Sequence, residues 1–144
     1  MGVVLLDTTV ASFLHPKRRG SALRRRYEPH MRGQILALSF QSVAELWAWA
    51  EEKNWGERER RRLEGFLRRF LIIPYDAELA KVWARVSVLC RKQGRRLEAG
   101  DAWIAATAAD REITLLTHDR DHVGLDVPGL NVISYVDVSE QTAM

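Results

Sequence analysis

The sequence predicts an α/β protein: a short parallel sheet with helices covering both faces. Two observations carry this expectation. Short apolar runs alternate with longer segments of helical period along the whole chain. The runs also tend to end abruptly at an acid or hydroxyl residue, as "VVLL" does at Asp7. Strands that alternate with helices call for right-handed crossovers, hence parallel pairing with both faces of the sheet covered.

Each element follows from its own pattern. Residues 3–6 read as a strand, and residues 8–14, with Val10, Phe13 and Leu14 at helical spacing, as a helix stopped by Pro16. Residues 21–31 read as a basic helix whose end is limited by Pro29. Residues 35–40 are the second strand. The next helix places Val43, Leu46, Trp47 and Ala50 on one face, and another after Gly56 carries Leu63, Phe66, Leu67 and Phe70. Residues 71–73 make a short edge strand before Pro74. A long helix then carries Leu79, Val82, Trp83, Val86 and Cys90, and Gly94 ends it. Asp101 opens the alanine-rich helix "DAWIAATAAD", whose small residues allow close approach to a sheet. Residues 113–116 and 132–134 are the last two strands.

Composition narrows the function classes. A chain of 144 residues, 47% hydrophobic and 28% charged, suits one domain over 1–144 with a real core. No apolar run is long enough for a membrane span, and no basic segment with a long apolar stretch opens the chain, so neither a membrane nor a secretory signal is expected. The one cysteine, Cys90, permits no internal disulfide and fits a reducing cytoplasm. It lies on an amphipathic helix face, as a core residue does. The net charge is only +3, but basic residues come in runs: Lys17-Arg18-Arg19, Arg24-Arg25-Arg26, Arg60-Arg61-Arg62, Arg68-Arg69, Arg91-Lys92 and Arg95-Arg96. Such runs can bind a phosphate backbone, or they can be solvated helix faces with Glu57, Glu59 and Glu64 as partners. Of the five tryptophans, Trp47, Trp83 and Trp103 sit on core-facing stripes. Trp49 and Trp55 are less clearly inward, as at a protein interface or a base-stacking surface.

The acids are the lead to function. In open parallel sheets, ligands bind beyond the carboxyl ends of the strands. Asp7 follows the first strand. Glu45 lies one turn into the helix after the second, in "SFQSVAEL". Asp119 and Asp121 follow "ITLL" in "THDRD", and Asp101 sits at a helix start after Gly100. Four segments can therefore aim carboxylates at one sheet edge. Each acid also has a purely structural use: Asp7 and Asp101 as helix caps, Ser42 with Glu45 as a capping box, and Asp119 as a turn former. Crowded carboxylates repel, and a divalent cation removes that problem. An all-oxygen set selects Mg²⁺ or Mn²⁺, and no Cys/His cluster has zinc spacing. Of the four scattered histidines, His118 stands nearest the acids, as a supporting or surface residue. Carboxylate-held metal beside basic surface points to phosphodiester hydrolysis.

Four segments, in this order, carry a resemblance: "LLDTTVASFL", "SFQSVAELWAWA", "LEAGDAWIAATAADREITLLTHDRDH" and "VPGLNVISY". Together they resemble the PIN domain, and most closely the VapC-type toxin ribonucleases of toxin–antitoxin pairs. The resemblance covers nearly the whole chain. It implies a three-layer α/β/α sandwich on a short parallel sheet, and a metal-dependent endoribonuclease. The implied acids are Asp7, Glu45, Asp101 and Asp119, with Asp121 an occasional fifth. Asp7, Asp101 and Asp119 would hold the metal, Glu45 would hold it or its water, and Thr117 would steady the site. The implied substrate is transfer or ribosomal RNA, and the implied partners are a second copy of the chain and a small antitoxin. Two positions depart from the family: Thr9 stands where asparagine is usual, with a hydroxyl still able to bond Asp7, and His122 where an aromatic is frequent. Two other readings remain, a solitary RNA-processing nuclease of the same fold and a catalytically silent domain that binds RNA or protein.

Overall fold

The computed structural model describes residues 2–18 and 21–137, so Arg19 of the first basic run lies outside the described residues. Five strands form one parallel sheet: β1 (Val3–Leu6), β2 (Ile35–Ser39), β3 (Leu71–Ile73), β4 (Thr114–Leu116) and β5 (Asn131–Ile133). Their spatial order is β3-β2-β1-β4-β5. The chain starts in the middle, winds outward through β2 to β3, then returns to the other side of β1 for β4 and β5. The direction of winding reverses between β1 and β4, and such a switch point opens a crevice beyond the strand ends. β1 and β4 are in register there, Leu6 beside Leu116, and the Asp7 amide extends the ladder by donating to Leu116 O at 2.9 Å.

Six helices cover the sheet: α1 (Thr8–Phe13), α2 (Ala22–Tyr27), α3 (Phe40–Glu52), α4 (Glu57–Leu67), α5 (Ala77–Lys92) and α6 (Ala99–Arg111). Alternation along each strand divides the core. Val4, Leu6, Leu38 and Leu116 face Val10, Phe13, Tyr27, Leu46, Leu63 and Phe66 from α1 to α4. Leu5, Ala37 and Leu115 face Ile104 and Ala108 of α6. On its outer side α6 turns Ala105, Ala106 and Ala109 to Leu79, Val86 and Cys90 of α5. The result is the expected three-layer α/β/α sandwich, and the alanines of α6 let it lie against both neighbours. Cys90 is fully buried, and burial pushes its thiol above the ordinary value, the opposite of what a nucleophile needs.

Several boundaries differ from the sequence reading. The basic segment after residue 20 is not one helix. α2 ends at Tyr27 and a 3₁₀ turn, Glu28–His30, takes over, because Pro29 has no amide to continue the α-helical ladder. α3 starts at Phe40, directly off β2, with Ser39 as its cap (Gln41 N to Ser39 Oγ 3.1 Å). Ser42 and Glu45 therefore form no capping box. α6 starts at Ala99, so Asp101 lies inside its first turn and does not cap it. Gly94, with φ at +72°, follows α5 in the left-handed conformation that only glycine adopts cheaply. Trp49 and Trp55 are turned in against the buried His15 ring, at 5.4 and 5.7 Å between centroids.

The helical glutamates do partner the basic runs: Arg61 with Glu57, Arg62 with Glu59 and Arg68 with Glu64. Such exposed pairs contribute little stability. Among the described residues, no helix is long and apolar enough to cross a membrane. The fold rests on its central strands, so Leu115→Ala should destabilise the protein by about 2–5 kcal/mol. Urea unfolding checks this: the midpoint should fall while the denaturant slope stays unchanged.

Candidate metal centre

All the acids singled out in the sequence sit on the sheet edge where the strands end. Asp7 leaves β1 and caps α1, its Oδ1 accepting from Val10 N at 2.7 Å. Its Oδ2 accepts from His118 N at 3.0 Å and from the Thr117 hydroxyl. Thr117 is the residue just past β4, so this contact joins segments 110 positions apart. Asp7 is 2% exposed. Burial pushes its carboxyl up from the ordinary 3.8, while the bonds from Thr117, Val10 and His118 act in the opposite direction.

The Thr117 hydroxyl is a junction. It carries one hydrogen, and a carboxylate at Asp7 takes it. Its lone pairs then accept from Asp119 N at 3.0 Å and face His122 Nδ1 at 3.0 Å. The other ring nitrogen of His122 lies 3.1 Å from the Asp101 carbonyl oxygen. A carbonyl only accepts, so Nε2 carries a hydrogen. His122 is fully buried and thus bridges the end of β4 to the first turn of α6. It, and not His118, is the histidine built into this edge. His118 turns toward Phe13 and Tyr27 instead, with Nδ1 2.7 Å from the tyrosine hydroxyl. That buried hydroxyl also reaches Thr117 O at 3.0 Å and accepts from Tyr135 N at 2.9 Å, pinning the ends of β4 and β5 together.

Asp119 caps the 3₁₀ turn Arg120–His122, accepting from Asp121 N at 2.9 Å. This turn swings Asp119 and Asp121 toward α6. One ligand oxygen from each of Asp101, Asp119 and Asp121 lies within 4.8 Å of the others, a spacing compatible with a shared cation. The Asp101 carboxyl is pushed up to about 6, first by burial and then by the neighbouring Asp119. The donor set is all oxygen, and the like charges repel in just the way that a bound hard cation would relieve. The residues therefore fit a hard divalent cation.

Glu45 stands at the side of this group. Its carboxylate accepts from Thr8 Oγ1 and from Gln41 Nε2, the latter at 3.4 Å. Thr8 spends its one hydrogen on Glu45, so Ser42, 3.0 Å away, supplies the hydrogen between the two hydroxyls. Gly100 lets α6 come this close. A Cβ there would lie 2.8 Å from Gln41 Nε2 and 3.3 Å from Glu45 Oε1. Thr9, in contrast, is exposed, and the bonds to Asp7 come from Val10, Thr117 and His118 instead. As the second residue of α1 it projects outward. The threonine that holds Glu45 is Thr8, whose role sequence reasoning passed over, as it did that of Gln41; Ser42, expected to form a capping box with Glu45, pairs with Thr8 instead. The signal for Gln41 was present in helical spacing, since Gln41 and Glu45 are four apart. The tight oxygen group itself contains Asp101, Asp119 and Asp121; Asp7 reaches it through Thr117, and Glu45 borders it through Gly100.

A parallel α/β sheet with carboxylates from separate segments gathered at its switch point defines the class: an α/β protein with an acidic strand-end edge that has room for a cation. The particular family follows from the sequence: the PIN domain pattern matches residues 4–127, and the chain belongs to the PIN domain family. It is 41% identical over 54 residues to ribonuclease VapC5 of Mycobacterium tuberculosis, an alignment that spans 38% of this chain and 40% of that protein. It is 29% identical over 115 residues to ribonuclease VapC2 of Haemophilus influenzae, covering 80% of this chain and 85% of the relative. The crystal structure of VapBC-5, a member of the VapBC family of toxin–antitoxin systems from M. tuberculosis, superposes with a TM-score of 0.67 at 25% identity. The match covers 93% of this chain and 99% of that one.

The raised Asp101 carboxyl has a stability consequence. Its pKa is higher folded than unfolded, so the folded state holds the extra proton. Without metal, stability should fall as pH rises from about 4 through about 6. Asp101→Asn should then stabilise the metal-free protein at pH 7, by on the order of 1 kcal/mol once solvent screening is included, and by nothing near pH 4. Thermal melts of both proteins across that range measure the difference.

Proposed function

We propose that this chain is one nuclease domain over residues 1–144, a metal-dependent endoribonuclease that acts as the toxin of a toxin–antitoxin pair. The observation that carries this reading is the grouping of Asp101, Asp119 and Asp121 oxygens beside the Asp7–Thr117 junction, in a chain of the PIN family similar to VapC ribonucleases. The proposed metal ligands are Asp7, Asp101 and Asp119, with Asp121 in support. A bound Mg²⁺ or Mn²⁺ would supply charge neutralisation at the scissile phosphate and acidify a water for attack.

The chain's own residues do the rest. Thr117 and His118 fix Asp7, so its carboxylate cannot rotate away from the edge. His122 holds the first turn of α6, and so Asp101, at a set distance from the end of β4. Glu45, held by Thr8 and Gln41, faces the edge as the group that orients the attacking water and receives its proton. Thr9 lies at the rim, beside the cavity of about 190 Å³ that it lines with Ser12, Arg18 and Glu45. Arg18 puts a guanidinium on that rim, suited to a phosphate of the backbone. The substrate class is RNA of the transfer or ribosomal type. The partners are a small antitoxin and a second copy of the chain, and the compartment is the cytoplasm.

Three experiments test this. Asp7→Asn and Asp101→Asn should each lower Mn²⁺-dependent cleavage of single-stranded RNA by on the order of 10²–10⁴ without unfolding the protein. Undiminished cleavage by either purified variant would reject the site. Calorimetric titration with Mn²⁺ should show binding to the parent and a loss in Asp101→Asn. Expression should arrest growth, and co-expression with a neighbouring small gene should restore it.

A further inference from the structure

Beyond the acid edge, a second feature of the same face is unassigned. A cavity of about 300 Å³ is lined by Trp83, Ser87 and Arg91 of α5 and by Arg96, Leu97 and Ala99 leading into α6. It lies beside the first turn of α6, two residues from Asp101, and Trp83 Nε1 ties it there by donating to Ala99 O at 3.3 Å. Both arginines are exposed, and among the described residues neither takes part in an ion pair. They contrast with Arg60, Arg61, Arg62 and Arg68, each matched to a glutamate. The Ser87 hydroxyl is buried without a hydrogen-bond partner, a cost the free protein carries.

The wall of this cavity is also the end of an aromatic row. Trp83 lies 5.4 Å from Trp103, which meets Phe40 at 5.5 Å and Tyr75 at 5.8 Å. Phe40 follows β2, Tyr75 follows β3, and Trp103 is two residues past Asp101. The row therefore runs along the same strand-end edge as the acids, and Tyr75 is 54% exposed.

We propose that this cavity is a nucleotide subsite for the RNA strand entering or leaving the metal centre. One base stacks on the Trp83 ring and the flanking phosphates pair with Arg91 and Arg96. The chemistry favours nucleic acid because it combines ring faces with planar, unpaired guanidinium groups, the combination that holds single strands. An acidic peptide would use the arginines and have no need of the ring. This inference rests on the ribonuclease reading for the identity of the strand.

The test measures binding, not cleavage. Anisotropy of a fluorescein-labelled single-stranded RNA is followed against the full-length chain in EDTA, over a series of salt concentrations. Arg91→Ala/Arg96→Ala should weaken binding at least about tenfold and lower the log–log salt slope by about one per arginine. Trp83→Leu should weaken binding to RNA but not to an abasic strand of equal length. Ser87→Ala should hold or raise the melting temperature of the free protein while lowering RNA affinity. Mn²⁺ affinity should be unchanged in the arginine variant. Unchanged RNA affinity and salt slope in that variant would overturn the subsite. If RNA binds through the arginines yet no RNA is ever cut, the subsite stands and the nuclease reading falls.

Discussion

The hydroxyl of Thr117 is the point on which the acid edge depends. It satisfies Asp7, a carboxylate almost fully removed from water, and it positions the Asp119 amide and the His122 ring at the same time. None of these contacts is local in sequence to Asp7. They exist because β1 and β4 are neighbours in the sheet and end level with each other. An unpaired carboxylate at that depth would cost several kcal/mol or take up a proton. Strand order thus fixes the chemistry: the crossover that brings the chain back to the far side of β1 also delivers the hydroxyl that Asp7 requires.

From that junction the constraint passes outward. His122 carries it to the backbone of α6 and so to Asp101. Tyr27 carries it to β5 through the Tyr135 amide. Thr8 and Ser42 carry it to Glu45 on α3. What these bonds gather is unfavourable for charge: burial first, and then the neighbouring Asp119, push the Asp101 carboxyl up. Repulsion of this kind is tolerated where a site trades stability for an ion, and the apolar layers on both faces of the sheet supply the reserve.

Much of this was readable in the residues. The five strands and six helices were legible because apolar period changes from run to helix face without ambiguity, and because glycine and proline punctuate the chain. The edge location of Asp7, Asp101 and Asp119 followed from their place after strands or at a helix start. Boundaries were less legible. Asp101 reads as a cap because it follows Gly100, yet the helix begins two residues earlier; the glycine is there for close approach to Gln41 and Glu45. His122 stood out only as a departure from the family; its bridging role gave no signal, since it lies in two contacts, one of them to a carbonyl 21 residues back. Thr9 took the attention that belonged to Thr8, because a one-residue step on a helix rotates a side chain from the acid edge to solvent.

Anomalous diffraction from crystals soaked in Mn²⁺ tests the central claim most directly. A single strong peak should lie at bonding distance, roughly 2.0–2.2 Å, from oxygens of Asp101 and Asp119, on the Asp7 side of the sheet edge. A peak elsewhere on the molecule, or none at saturating metal, would contradict it.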